Sequence, residues 1–159
     1  MNLMPEDFAS FYEQIHGDPP FPWQAELARQ VLSERVWPQL IDVPTGMGKT
    51  ALLDIAVFVS AATSGEVGAS RLGRRRIFFV VDRRIVVDEA YDRAVLLSQA
   101  IDRALESDRD TAVRRVGLGL RAFAPAADRA LSLPPPGGGG RDEAPRTILP
   151  VTRMRGGVT

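Results

Sequence analysis

The segment that most constrains this chain is a glycine-rich stretch, Pro44-Thr45-Gly46-Met47-Gly48-Lys49-Thr50, here called the 44–50 loop. The residues just before it, 40–43, are mostly apolar and predict a short buried strand. The residues just after it, 51–59, are strongly apolar and predict a helix. A strand that ends in such a turn before a helix predicts a phosphate-binding loop, because backbone N–H groups and the helix dipole both favour an anion.

The residue types in the 44–50 loop suit a nucleotide triphosphate with Mg²⁺. Lys49 is expected to contact the β- and γ-phosphates and the Thr50 hydroxyl to ligate Mg²⁺, which makes both the candidate catalytic residues. Lys49 is also the only lysine among 20 basic residues, and its compact ammonium acts as a point charge at phosphates. The sequence therefore predicts ATP and Mg²⁺ as cofactors. The predicted ligands within the loop are Pro44, Thr45, Gly46, Met47, Gly48, Lys49 and Thr50.

One alternative for the 44–50 loop stays open. The strict phosphate-loop pattern has a glycine where this chain has Val43. A glycine- and proline-rich surface turn in front of a helix would have a similar composition.

Apolar patterning along the rest of the chain predicts alternating strands and helices. Helical spacing is present at residues 5–17, 23–32, 51–59 and 86–105. Short apolar runs that favour strands are present at residues 40–43, 77–81, 113–120 and 147–152. The order strand, loop, helix, strand, helix implies a parallel sheet, so the predicted fold class is three-layer α/β. A proline–glycine run predicts a flexible loop at about residues 132–145.

Composition narrows the classes of protein and of site. Cysteine is absent, which excludes disulfides and thiolate metal sites, and the single histidine, His16, excludes a histidine cluster. No apolar run has the length of a membrane span, and the N-terminus lacks the pattern of a secretory signal. We therefore expect no membrane partner and a cytoplasmic location. The formal net charge of zero argues neither for nor against nucleic acid.

Two further motifs accompany the loop. Gln24 lies 20 residues before Pro44 (44 − 24 = 20) and follows Trp23, so its amide is a candidate for reading the adenine edge of a bound base. With the 44–50 loop, this segment resembles motif I and the Q motif of superfamily 2 helicases. The segment 80–90, Val-Val-Asp-Arg-Arg-Ile-Val-Val-Asp-Glu-Ala, and Met-Arg-Gly-Gly at 154–157 resemble stretches of CRISPR-associated type I-G helicase–nucleases. The resemblance covers about residues 18–90 and 147–158.

The resemblance implies an ATP-dependent motor. Residues 1–36 would be N-terminal helices with the Q-motif-like segment, and residues 37–159 a partial RecA-like helicase domain, incomplete at its C-terminus. The implied partners are single-stranded DNA and an RNA-guided CRISPR surveillance complex. Because a second RecA-like domain and a nuclease domain are missing from these residues, ATP hydrolysis by this chain alone is expected to be poor. The implied nucleic-acid contacts are Arg83, Arg84, Arg155 and Gly156.

Charge supports a DNA contact at Arg83 and Arg84 independently of family. If Asp82 caps the following helix, two arginines lie in its first turn, where cations are disfavoured unless a phosphate offsets them. A solvated or ion-paired surface is the alternative. The nearby sequence Asp88-Glu89-Ala90-Tyr91 looks like a catalytic acid box, but its apolar neighbours have helical spacing, so we expect a helix there and no such box.

Two other functions stay open. One is a small P-loop kinase or nucleotide-dependent transferase, and the other is a degenerate, non-enzymatic phosphate-loop module. Nucleotide affinity separates the second from the rest, and DNA-stimulated hydrolysis separates a motor from a kinase.

Overall fold

The computed structural model describes residues 3–66, 72–73, 76–80, 84–123 and 147–153, apart from the side chains of residues 84 and 123. Within these residues the regular structure is helical. A 3₁₀ turn at Lys49–Ala51 leads directly into the third helix. The five α-helices are α1 (Asp7–His16), α2 (Pro22–Glu34), α3 (Leu52–Ala62), α4 (Arg84–Glu106) and α5 (Ala112–Phe123).

Local signals explain where α1 and α2 begin and end. The Asp7 carboxylate accepts a hydrogen bond from the backbone N–H of Met4 at 2.8 Å and so steadies the start of α1. Gly17, with φ of 82°, ends α1 because it takes the left-handed conformation that closes a helix. Pro22 is the first residue of α2, a position where its missing N–H costs nothing.

Helix α3 lies at the centre of the core. Its residues are apolar on nearly all sides, and it packs against α1, α2, α4 and α5. The Phe58 ring meets the Phe8 ring edge to face at a centroid distance of 5.4 Å and the Phe11 ring at 5.6 Å. All three rings are fully buried, so this aromatic contact fixes α1 on α3.

Close approach at a glycine brings α5 against α3. A Cβ built on Gly119 would lie 2.6 Å from the backbone oxygen of Ala61. No side chain fits there, so glycine permits the contact. Next to it, Val113 and Val116 are buried in the same core.

The segment 147–153 runs along α4 without forming regular structure. The Ser98 hydroxyl donates to the backbone oxygen of Leu149 at 2.8 Å, and the Asp102 carboxylate accepts from the N–H of Ile148 at 3.2 Å. Further along, Arg153 pairs with Asp88 at 2.8 Å. The segment therefore passes α4 in the antiparallel direction.

The predicted three-layer α/β fold class is wrong: in the described part of the chain there is no strand and no sheet. Residues 40–43 and 76–80 have no regular structure, and neither run forms a ladder with a neighbour among the described residues. Val80 is 87% exposed and Leu40 82% exposed, whereas Val43 is buried and Ile41 packs against the helical core. A short apolar run gives the chain a local preference for a strand. A sheet also needs a partner strand whose groups pair with each row of N–H and C=O groups. Here helices cover the apolar surface of α3 instead.

Two other predicted strands also differ in the structure. Residues 113–120 lie in α5, and residues 147–152 form the irregular segment along α4. In α5 the buried Val113 and Val116 and the partly buried Leu120 are three and four residues apart, which is helical spacing. The helices predicted near residues 5–17, 23–32, 51–59 and 86–105 are confirmed.

Candidate phosphate-binding loop

The 44–50 loop is a tight turn that leads into the 3₁₀ turn and α3. Gly46 and Gly48 have φ values of 83° and 69°, in the left-handed region that favours glycine. The Met47 N–H approaches the Pro44 oxygen at 3.4 Å, and the Ala51 N–H donates to the Gly48 oxygen at 3.1 Å. Both glycines are therefore required by the backbone path, as the sequence indicated.

The first turn of α2 holds the loop through two of its carbonyl groups. The Trp23 indole N–H donates to the Met47 oxygen at 2.9 Å, and the Gln24 amide nitrogen donates to the Gly48 oxygen at 3.0 Å. The Gln24 amide oxygen accepts from the backbone N–H of Phe21 at 3.0 Å, and Gln24 is fully buried. We call Trp23 and Gln24, with these two bonds to the loop, the loop brace.

The other face of the loop has unused hydrogen-bond donors. Within the described residues, the backbone N–H groups of Gly46, Gly48, Lys49 and Thr50 donate to no atom of the chain. Lys49 is exposed and has no acidic partner there, and the half-buried Thr50 hydroxyl makes no hydrogen bond. A run of unpaired N–H groups beside a cation has the chemistry of an anion site.

One turn along α3, the Asp54 cluster joins three helices. It consists of Asp54, His16 and Arg93. The Cζ atom of Arg93 lies 5.3 Å from the centroid of the Tyr12 ring. Asp54 is fully buried, and its carboxylate pairs with Arg93 at 2.6 Å and with the His16 Nε2 nitrogen at 2.8 Å.

The charged and polar groups of the Asp54 cluster pair with one another. Burial alone would lower the pKa of Arg93, but the charge and hydrogen bond of Asp54 outweigh it and raise that pKa above its ordinary value. Because a carboxylate only accepts, the Nε2 nitrogen of His16 carries the hydrogen. The 3.2 Å approach of Arg93 to that same nitrogen is then a close contact and not a hydrogen bond.

The predicted nucleic-acid contacts are mostly beyond what the structure describes. Arg83, Arg155 and Gly156 lie outside the described residues, and so does the side chain of Arg84, the first residue of α4. Their role in DNA binding stays a prediction.

The expectation of a helix at the acid-box sequence is confirmed. Asp88 and Glu89 lie within α4, and Asp88 pairs with Arg153. In the described part of the chain no group of three His, Cys, Asp or Glu side chains is placed to hold a metal ion.

Comparisons with known proteins give the chain no relative: no family model, no curated protein and no solved structure matches it. The assignment to the CRISPR-associated type I-G helicase–nucleases, and to superfamily 2 helicases more broadly, is therefore wrong. A RecA-like domain is built on a parallel sheet, whereas the described chain is helical. The seven loop residues and the two short motifs determine which chemical groups lie close together along the chain. They do not determine the long-range strand pairing that defines a RecA-like fold.

No described helix is both long and apolar enough to cross a lipid bilayer.

Sequence reasoning missed the contact of Trp23 with the loop and the Asp54 cluster. No sequence signal pairs an indole with a carbonyl 24 residues away, or His16 with an aspartate 38 residues away. Both contacts depend on how α1, α2 and α3 pack.

Proposed function

We propose that this protein binds ATP with Mg²⁺ at the 44–50 loop. The observation that carries the proposal is that the N–H groups of Gly46, Gly48, Lys49 and Thr50 have no acceptor among the described residues and lie next to the exposed Lys49 side chain. A triphosphate carries several negative charges. Backbone N–H groups and a cation stabilise such a group by donating hydrogen bonds and offsetting its charge.

Within the site, each residue would have a distinct part. The backbone N–H groups would hold the β- and γ-phosphates and Lys49 would neutralise part of their charge. Thr50 would ligate Mg²⁺, which supplies further charge neutralisation when bound. Gln24 stays a candidate for adenine recognition. Its amide already bonds the Gly48 oxygen and the Phe21 N–H and is fully buried, so contact with a base requires Gln24 to move.

We expect binding without efficient hydrolysis. Hydrolysis needs an acid that holds Mg²⁺ and orients water. Asp54, the fully buried acid on α3, is already engaged by His16 and Arg93.

Single-stranded DNA remains a candidate partner through the arginines near residues 83 and 155. A CRISPR surveillance complex rested on the family resemblance alone and has lost that support. A cytoplasmic location stays a prediction from the sequence.

The proposal is tested by calorimetric titration of the purified chain with Mg²⁺-ATP. Lys49→Ala should weaken ATP binding by about 10- to 100-fold, since it removes a charge-assisted contact worth about 1.5–3 kcal/mol. The matched control is Arg103→Ala, which removes one exposed positive charge from α4. Equal affinity of Lys49→Ala and the unmodified protein would contradict the proposal.

A further inference from the structure

The brace forms hydrogen bonds with the same peptide units whose N–H groups would bind phosphate. The Met47 carbonyl that Trp23 bonds belongs to the same peptide unit as the Gly48 N–H, and the Gly48 carbonyl that Gln24 bonds belongs to the same unit as the Lys49 N–H. No cis peptide bond is present in the described chain. In a planar trans peptide the C=O and N–H bonds point in opposite directions. Fixing the two carbonyls toward α2 therefore directs the two N–H groups away from α2.

The brace is itself anchored. Gln24 is the third residue of α2, and its amide oxygen accepts from the backbone N–H of Phe21 at the helix start. This bond is one half of a capping box, so the same side chain caps α2 and holds the loop. Because Gln24 is fully buried, its amide has little freedom to turn away.

The loop has no sheet to hold it. In phosphate loops that follow a strand, the sheet fixes the entry to the turn, but here residues 40–43 have no regular structure and no ladder partner among the described residues. Among the described residues, the hydrogen bonds from outside the loop to the Met47 and Gly48 carbonyls are those of the brace and the Ala51 N–H.

We infer that Trp23 and Gln24 are positioning residues that hold the N–H groups of Gly48 and Lys49 toward bound phosphate, and so set the affinity for any polyphosphate. This inference rests on the proposed function. It differs from adenine recognition by Gln24 because the effect passes through the loop and not through the base.

The test uses inorganic triphosphate, which has no base, alongside ATP. Trp23→Phe keeps the aromatic ring but removes the indole donor, and Gln24→Met keeps the length of the side chain but removes its amide. Each should lower the affinity for inorganic triphosphate and for ATP by the same factor, about 3- to 10-fold. The matched control is Gln30→Met on the same helix, where the glutamine side chain donates to Glu34 and not to the loop.

Unchanged affinity for inorganic triphosphate in both variants would overturn the inference. A loss confined to ATP in Gln24→Met would overturn it for Gln24 and assign that residue to the base. If Gln24→Met fails to fold, the half-exposed Trp23 site carries the test.

A second measurement separates this inference from the proposed function. In the ligand-free protein, ¹⁵N relaxation order parameters of the Gly48 and Lys49 amides should fall in both brace variants and stay unchanged in Gln30→Met. If the unmodified protein binds neither ATP nor inorganic triphosphate, the proposed function fails, and this measurement still decides whether the brace orders the loop. Unchanged order parameters would overturn the inference.

Discussion

Two polar regions at the start of α3 use their hydrogen-bonding capacity in opposite ways. In the Asp54 cluster the buried carboxylate is engaged by His16 and Arg93, so its charge is satisfied within the fold. In the 44–50 loop, four to ten residues earlier, the Met47 and Gly48 carbonyl groups are held by the brace. The N–H groups of Gly46, Gly48, Lys49 and Thr50 and the Lys49 ammonium are left without partners in the described chain. The difference indicates that the Asp54 cluster serves the packing of the helices and that the loop serves a ligand.

The largest effect on stability is expected at the Asp54 cluster. Asp54→Ala leaves Arg93 and His16 without their acceptor in a mostly buried site, so the free energy of unfolding should fall by about 3–5 kcal/mol. Because the pKa of Arg93 is raised above an already high value, its charge persists until the pH exceeds that value. The part of the loss that comes from Arg93 should therefore be the same from pH 6 to pH 9. Urea denaturation measures it.

The control for this prediction is Asp92→Ala, which removes an exposed aspartate from the residue before Arg93. If the two variants were equally stable, the Asp54 cluster would have no structural role, and the contrast with the loop would disappear.

An intermediate effect is expected at Gly48. A Cβ there would lie 2.8 Å from the Gln24 amide nitrogen and 3.2 Å from the Phe21 ring, and the φ of 69° is unfavourable for alanine. Gly48→Ala should cost about 1–2 kcal/mol of stability from the backbone conformation alone, and it should also weaken ATP binding by displacing the brace.

Gly17→Ala is the matched control for that effect. Gly17 has a similar φ of 82°, but no atom lies within 4 Å of its built Cβ, so it carries the backbone cost without a collision. ATP titration and thermal unfolding compare the two. A loss of ATP affinity in Gly17→Ala as large as that in Gly48→Ala would show that general destabilisation, and not the brace, is responsible.

The smallest effect is expected at the Arg29–Glu26 ion pair, which lies on α2 beside the brace but faces solvent. Exposed ion pairs of this kind contribute little to the free energy of unfolding, because water and salt screen their charges. Arg29→Ala should therefore leave the midpoint of thermal unfolding and the affinity for inorganic triphosphate unchanged within error. A clear loss of phosphate affinity would mean that surface charge on α2 contributes to the site.

The sequence predicted well those features that depend on local spacing. Phe8 and Phe11 in α1, and the apolar residues of α3, repeat at helical intervals, and these helices are present. The turn at Gly46 and Gly48 was likewise indicated by composition, since few other residues adopt positive φ.

Features that depend on distant partners were not predicted. The apolar run at 77–80 has the composition of a buried strand, yet Phe78 is 67% exposed because no neighbouring strand is present in the described chain. The brace was missed for the same reason: the Trp23–Met47 bond exists only because α2 packs beside the start of α3.

Binding of phosphates to the N–H groups of the 44–50 loop can be measured directly by ¹H–¹⁵N chemical-shift titration with Mg²⁺-ATP. The largest shifts are expected at the Gly46, Gly48, Lys49 and Thr50 amides, with little change at Asp54. Saturable shifts centred on other residues, or no shift in the loop at millimolar ATP, would contradict phosphate binding at the loop.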